Sequence, residues 1–240
     1  MNRPYTTCYL LVSAEGHIDG DHWKIPEADA ASAYYIKRQL SMDADAIVYG
    51  AATMSSFSKG WVENLPAATT TYPREDFIAP CTATKFYIVI NTKCTLAYDS
   101  NIIERKGRSP HGVIHVLLEN ASDDYLEYLR SKGISYIFCG KDKLDPVIMM
   151  QKAYSLFNIK KALICGGAYA DWTLLSAGLI DEVQTVIIPV ADGDPTSHSV
   201  FRRSEGMESH PVPFQLVHVE KVENDGLLTI YKPKNALPND

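Results

Sequence analysis

The sequence is poor in the features that mark several large functional classes. Lys and Arg number 23 against 29 Asp and Glu, a formal net charge of −6, so the basic stripe of a nucleic-acid-binding surface is missing. The five cysteines (Cys8, Cys81, Cys94, Cys139 and Cys165) are odd in number, and no two stand in a CxxC. That argues against a disulfide framework or a zinc site. Cys8, Cys139 and Cys165 fall in apolar runs and read as buried free thiols, with a catalytic Cys165 as the lesser alternative. No apolar run approaches the ~20 residues of a membrane span. The opening MNRPYTTCYLLVSAEG has neither the apolar length nor the small-residue cleavage site of a signal peptide, and a cytoplasmic protein is expected. GxGxxG, GxxxxGK[ST] and GxSxG are absent, so motif supports neither the common nucleotide folds nor a serine hydrolase. No metal centre is expected from the seven histidines.

What is present is an ordinary core-forming composition, 46% apolar over 240 residues, enough for one large α/β domain. Tyr5 to Ser13 is β-rich and reads as a strand, followed by the polar loop AEGHIDGDHWKIP. Pro26, with Glu27 and Asp29 behind it, opens a helix that runs through Ala33, Ile36 and Leu40. DAIVY (45–49) is a short strand, and AATMSSF a short helix. Residues 59–84 carry Gly60, three prolines and the run TTTYP, a long irregular segment of the kind that serves as a lid or moves. Further strands are expected at 86–90, 113–118, 135–139, 162–165 and 182–189, and helices at 123–131, 146–157 and 168–177. Glu-Asn-Asp-Gly (223–226) separates two β runs, 214–221 and 227–232, a hairpin signal. Alternation of strand and helix up to residue 190 predicts a largely parallel sheet with helices on its faces and an antiparallel edge. A single domain over 1–233 is expected, with a tail at 234–240 that lacks structure.

Two of the short strands end in glycine turns that open helices: Tyr49-Gly50-Ala51-Ala52-Thr53 and Cys165-Gly166-Gly167-Ala168. A helix N-terminus presents unpaired N–H groups and the positive end of a dipole. Glycine lets the backbone approach an anion closely. A tight connection explains either turn alone. The pair leaves phosphate binding and tight turning evenly matched.

In order along the chain stand RPYxTxxLxxSxxG (3–16), Trp23 with Pro26, DAIVYGAAT (45–53), FYIVINTK (86–93) and LICGGAYADWTLLSAGLIDEVQTVIIPV (163–190). Taken together these resemble the riboflavin-biosynthesis reductase domain, a RibD C-terminal-like member of the dihydrofolate-reductase-like superfamily, over nearly the whole chain. The resemblance implies a three-layer dihydrofolate-reductase-like α/β fold: a mostly parallel central sheet, helices on both faces and a C-terminal antiparallel hairpin. It also implies NADPH along the carboxyl ends of the parallel strands and a cis peptide at Gly166–Gly167. Gly167, Ala168 and Tyr169, with Gly166 beside them, would hold the pyrophosphate. Gly50 and Thr53 would serve phosphate at the other turn. Thr92 and Lys93 would lie near the 2′-phosphate, although a solvated lysine at a strand end is an equal reading of Lys93. Val12 and Ile18 would flank the nicotinamide, with Trp23 either a cofactor neighbour or an ordinary loop anchor.

The substrate half departs from the family pattern. Ser13-Ala14-Glu15-Gly16 stands where the reductases usually have Ser-x-Asp-Gly, and Cys165 stands where they place a substrate-contacting Glu. The arginines that grip a ribose phosphate are missing: Ser41 occupies the helix-end position, and SSFSKGWVENLP (55–66) replaces the other segment. Lys59 and Arg74 are candidate substitutes. Dihydrofolate reductase is similar at Trp23-Lys24-Ile25-Pro26, but Ala28 stands where its pterin-binding acid would be, which disfavours folate reduction. The reading is an NADPH-dependent reductase resembling 5-amino-6-(5-phosphoribosylamino)uracil reductase, passing hydride to a pyrimidine- or pterin-like substrate. Ser13, Glu15 and Cys165 would face the substrate, between the 15–27 loop and the 55–84 segment, with Glu15 as a polar substrate contact or proton relay; a loop glutamate in water is the competing reading of Glu15. A homodimer through the C-terminal hairpin is expected. The rival is a non-catalytic NADPH-binding oligomer that has lost the substrate site.

Overall fold

A computed structural model describes residues 2–207 and 210–238. In chain order its elements are β1 (Tyr5–Val12), a 3₁₀ turn (Asp21–Lys24), α1 (Pro26–Ser41), β2 (Ala46–Gly50), α2 (Ala51–Met54), β3 (Lys85–Ile90), β4 (Ile102–Ile103), β5 (His111–Leu117), α3 (Asp123–Ser131), β6 (Ser135–Phe138), α4 (Pro146–Phe157), β7 (Lys161–Ile164), α5 (Ala168–Ser176), β8 (Glu182–Ile187), β9 (Phe214–Lys221) and β10 (Leu227–Pro233). The α/β class with a mostly parallel sheet and a C-terminal antiparallel hairpin is as expected. The chain groups into two compact units. One holds Tyr5–Ala44 and the chain from Ala162 onward, the other residues 2–4 and Asp45–Lys161.

In the first unit the strand order is β7-β1-β8-β10-β9. β1 is parallel to β8, with Val12 opposite Ile187. It is buried along nearly its whole length, which its apolar, aromatic and β-branched residues permit. α1 starts on Pro26, whose fixed φ suits a first helical position. Beneath it Ala28 and Ala31 pack on Ile188, with Leu11, Trp23, Ile25 and Val190 around them. β10 pairs antiparallel with β8 and with β9. The hairpin turns through Asn224 and Asp225, both at positive φ, as their small polar side chains allow. The described part of the tail, residues 234–238, is hydrogen-bonded to the rest of the unit. Asn235 Nδ2 donates to the Leu175 carbonyl at 2.8 Å, and Leu237 N–H to the Gly178 carbonyl at 2.8 Å, so the tail is tied to the C-terminal end of α5 and the turn that follows it.

In the second unit β2, β3, β5 and β6 run parallel, and β4 adds an antiparallel pair to the start of β5. β5 is buried at every residue. Ser122 caps α3 and Asp145 caps α4 through side-chain oxygens. β4 and the 3₁₀ turn were not legible, being too short to show a period. The irregular segment 59–84 is anchored over residues 68–79. Asp124 accepts from Ala68 N–H, Glu127 from Thr69, and Asp123 from Tyr72 N–H. Phe77 makes a β-bridge to Tyr136, and Asp76 accepts from Phe138 N–H and Lys152.

Candidate functional site

The turn between β7 and α5 is the feature with the most chemical content. Gly166 lies at φ 95°, a conformation that favours glycine, and the Gly166–Gly167 peptide is cis, as expected. Gly167 is the N-cap of α5, and no side chain caps the helix. α3 and α4, by contrast, both carry side-chain caps. The first N–H groups of α5 are therefore available to an anion at the positive end of its dipole. Ala168 is buried there and Tyr169 exposed. Arg202, which the sequence reading missed, is tied to the same turn. Its backbone N–H donates to the Ala168 carbonyl at 3.1 Å, and its guanidinium lies 5.7 Å from the Tyr169 ring centre. It makes no ion pair among the described residues.

In the same unit the loop after β1 is fastened to the segment after β8. Ser13 is buried, and its Oγ accepts from His17 N–H at 3.1 Å, closing a tight turn at the end of β1 beside Val12. Ile18 N–H donates to the His198 carbonyl at 2.9 Å. Trp23 Nε1 donates to the Ile18 carbonyl at 3.2 Å, so Trp23 anchors its own loop. Glu15 is exposed, and its Oε2 accepts from Asp192 N–H at 2.8 Å and Gly193 N–H at 3.1 Å. Two His–Asp pairs cross between the segments. His22 Nδ1 is 2.7 Å from Asp192 Oδ2, and His198 Nδ1 is 2.7 Å from Asp19 Oδ2. Asp192 is held below the usual carboxylate range, first by the Asp194 N–H and then by His22. Gly20 sits against this cluster: a Cβ there would lie 2.5 Å from Asp192 Oδ2. The His198 ring is 6.2 Å from that of Tyr169. The segment 190–202 thus links the loop carrying Glu15 and Ile18 to the glycine turn. Its sequence signal was only the polar run DGDPTSHS.

Cys165 precedes the turn and is buried, with its Sγ 3.1 Å from Gln39 Nε2. Gln39 is itself buried on α1, and the sequence reading had passed over it.

In the second unit Gly50 and Ile90 are register partners on β2 and β3. Gly50 and Thr53, on the uncapped four-residue α2, and Thr92 and Lys93 therefore share the carboxyl end of that strand pair. Lys93 is exposed. The turn carrying it is held by Asn91, whose Oδ1 accepts from Thr95 N–H and hydroxyl and whose Nδ2 donates to Tyr125 OH at 2.9 Å. The candidate substitutes for the missing arginines have other partners. Lys59 pairs with Asp99 at 2.8 Å. Arg74 donates to the Glu119, Tyr72 and Ala121 carbonyls and to Asp123.

Two groupings could suggest a metal. Glu15, His17 and Asp192 offer ligand atoms within 4.8 Å of one another, but the hydrogen bonds above already account for Glu15 Oε2 and Asp192 Oδ2. His111 and His115 stand four apart on β5. His115 is wholly buried, and burial pushes its ring down to about 3, so it is neutral. No helix among the described residues is long and apolar enough to cross a membrane.

Comparison with known proteins agrees with this architecture. Residues 4–228 match the RibD C-terminal domain, and the chain belongs to that family. It is 22% identical over 200 residues to the 2,5-diamino-6-ribosylamino-4(3H)-pyrimidinone 5′-phosphate reductase of Aquifex aeolicus, covering 80% of each chain. Among solved structures it resembles a pyrimidine reductase-like protein from Corynebacterium diphtheriae, with a TM-score of 0.66, 20% identity, and 96% and 92% of the two chains covered. It also resembles a riboflavin biosynthesis reductase from Saccharomyces cerevisiae, with a TM-score of 0.60, 15% identity, and 96% and 90% covered. These likenesses show the fold. Two of these relatives are named as reductases and the third as a pyrimidine reductase-like protein.

Proposed function

We propose that this protein is a reductase that binds NADPH and passes hydride to a pyrimidine- or pterin-like heterocycle, resembling 5-amino-6-(5-phosphoribosylamino)uracil reductase. The observation that carries the reading is the glycine-led, uncapped start of α5 with Arg202 fastened beside it, in a chain of the RibD C-terminal domain family. Gly167, Ala168 and Tyr169 would hold the pyrophosphate through backbone N–H groups, Gly166 would shape the turn, and Arg202 would offset the charge. Val12 and Ile18 would flank the nicotinamide, with Trp23 holding their loop. In the second unit Gly50 and Thr53 would serve phosphate, and Thr92 and Lys93 the 2′-phosphate. The bound nicotinamide supplies the hydride, and the protein supplies orientation and electrostatics. Ser13, Glu15 and Cys165 would face the substrate, with Glu15 using the oxygen that does not hold the 192–193 turn. The family match runs through both compact units, which supports reading residues 1–233 as one reductase domain. The absence of a membrane-spanning helix among the described residues is consistent with a cytoplasmic enzyme.

One observation favours the rival, a non-catalytic NADPH-binding oligomer. Lys59 and Arg74 are committed elsewhere, and Cys165 bonds to Gln39. The deciding experiment is titration of wild type and Gly167→Val with NADPH and NADH, followed by NADPH oxidation with pyrimidine and pterin substrates. The reductase reading expects NADPH binding that Gly167→Val abolishes, and turnover on a heterocycle. Binding without turnover selects the rival. No binding to either nucleotide removes both.

A further inference from the structure

Asp171 sits in the first turn of α5 and is wholly buried. Its Oδ1 accepts from Gly166 N–H at 3.1 Å, and its Oδ2 has no hydrogen-bond partner among the described residues. No Lys, Arg or His pairs with it among the described residues. From β1 the titratable group that faces it is Cys8, also wholly buried. From the β7–α5 turn it meets the Gly166 peptide. An ionised carboxylate in such a place has lost its water and regained a single hydrogen bond, which does not restore the loss. Burial accordingly pushes the Asp171 carboxyl well above the usual range, and the Gly166 N–H opposes this only in part.

We propose that Asp171 is a positioning residue: as a neutral acid it fixes the Gly166 peptide from within the first turn and leaves the mouth of α5 without negative charge for the cofactor's pyrophosphate. This inference rests on the reading of α5 as the pyrophosphate site. An ionised Asp171 would compete with a bound phosphate for the same dipole end. The like charge would weaken binding on the order of tenfold. A neutral acid keeps an acceptor for Gly166 N–H without that repulsion. Asparagine could do the same, leucine could not.

The test compares wild type with Asp171→Asn and Asp171→Leu. Infrared difference spectra between wild type and Asp171→Asn at neutral pH should show a protonated-carboxyl band that the variant lacks. Asp171→Asn should bind NADPH within about twofold of wild type and resist urea better at neutral pH. The sign follows from linkage: a carboxyl whose folded-state affinity for protons is raised loses stability as pH rises above the unfolded value, and asparagine has no such loss. Asp171→Leu should bind NADPH at least tenfold more weakly. A missing band, or an Asp171→Asn variant that binds tenfold more weakly than wild type, would overturn the proposal, as would full binding by Asp171→Leu. Should Asp171→Leu fail to fold, the asparagine variant decides. If wild type binds neither NADPH nor NADH, the pyrophosphate reading of α5 fails, and the positioning role fails with it. The infrared band still reports separately whether Asp171 is neutral.

Discussion

Asp192 Oδ2 meets two nitrogens of His22, the backbone N–H at 3.0 Å and Nδ1 at 2.7 Å, across 170 residues of chain. His198 makes the same double contact with Asp19, its N–H to Oδ1 and its Nδ1 to Oδ2. Each segment thus contributes one histidine and one aspartate to the other. The Asp192 carboxyl is depressed in the folded protein. A depressed carboxyl adds stability that is present above its unfolded value and is lost as pH falls through the folded one. Urea denaturation over an acid series should therefore show a shallower loss for Asp192→Asn than for wild type, and an unchanged acid slope would refute the assignment. His22 is wholly buried, and His22→Ala should lower stability by about 1–3 kcal/mol.

Arg202 and Lys93 should separate the two nicotinamide cofactors. Arg202→Met should weaken NADPH and NADH alike, by about tenfold, and reduce the salt dependence of binding. Lys93→Met should weaken NADPH alone. Isothermal titration at two ionic strengths reads both outcomes. Equal NADPH affinity in Lys93→Met would return that lysine to the solvated strand end.

Arg74 staples the segment before it to the start of α3. Its side chain makes four hydrogen bonds, one to the Tyr72 carbonyl and three to the chain that leads into α3, including Asp123 at 2.6 Å. Arg74→Ala should cost about 2 kcal/mol of stability and expose residues 68–79 to proteolysis, with NADPH affinity unchanged. Lysine should restore the stability only in part, since it cannot reproduce the planar fork.

β9 is an edge strand exposed from Gln215 to Lys221, with Leu216, Val217 and Val219 each about half exposed. Such an edge needs cover, and we propose that a second copy supplies it. Light scattering should show a dimer that Val217→Lys converts to a monomer. A monomeric wild type would end the proposal.

Local rules made most of the elements readable. Pro26 opened α1, Asn-Asp-Gly closed the hairpin, and the apolar runs placed the main strands. The same held for the glycine turn before α5, because a residue at φ 95° leaves a mark in the sequence. The partners were not readable. His22 with Asp192, Gln39 with Cys165 and Asn235 with Leu175 are separated by 170, 126 and 60 residues, and nothing in the local pattern around a polar side chain announces a partner that far along the chain. Asp171 shows the division most clearly. Its place in the first turn of α5 is written in the chain. Its burial and its single hydrogen bond, with no cation beside it among the described residues, arise only when the tertiary structure closes around it, because desolvation is a property of the packed interior and not of the residue.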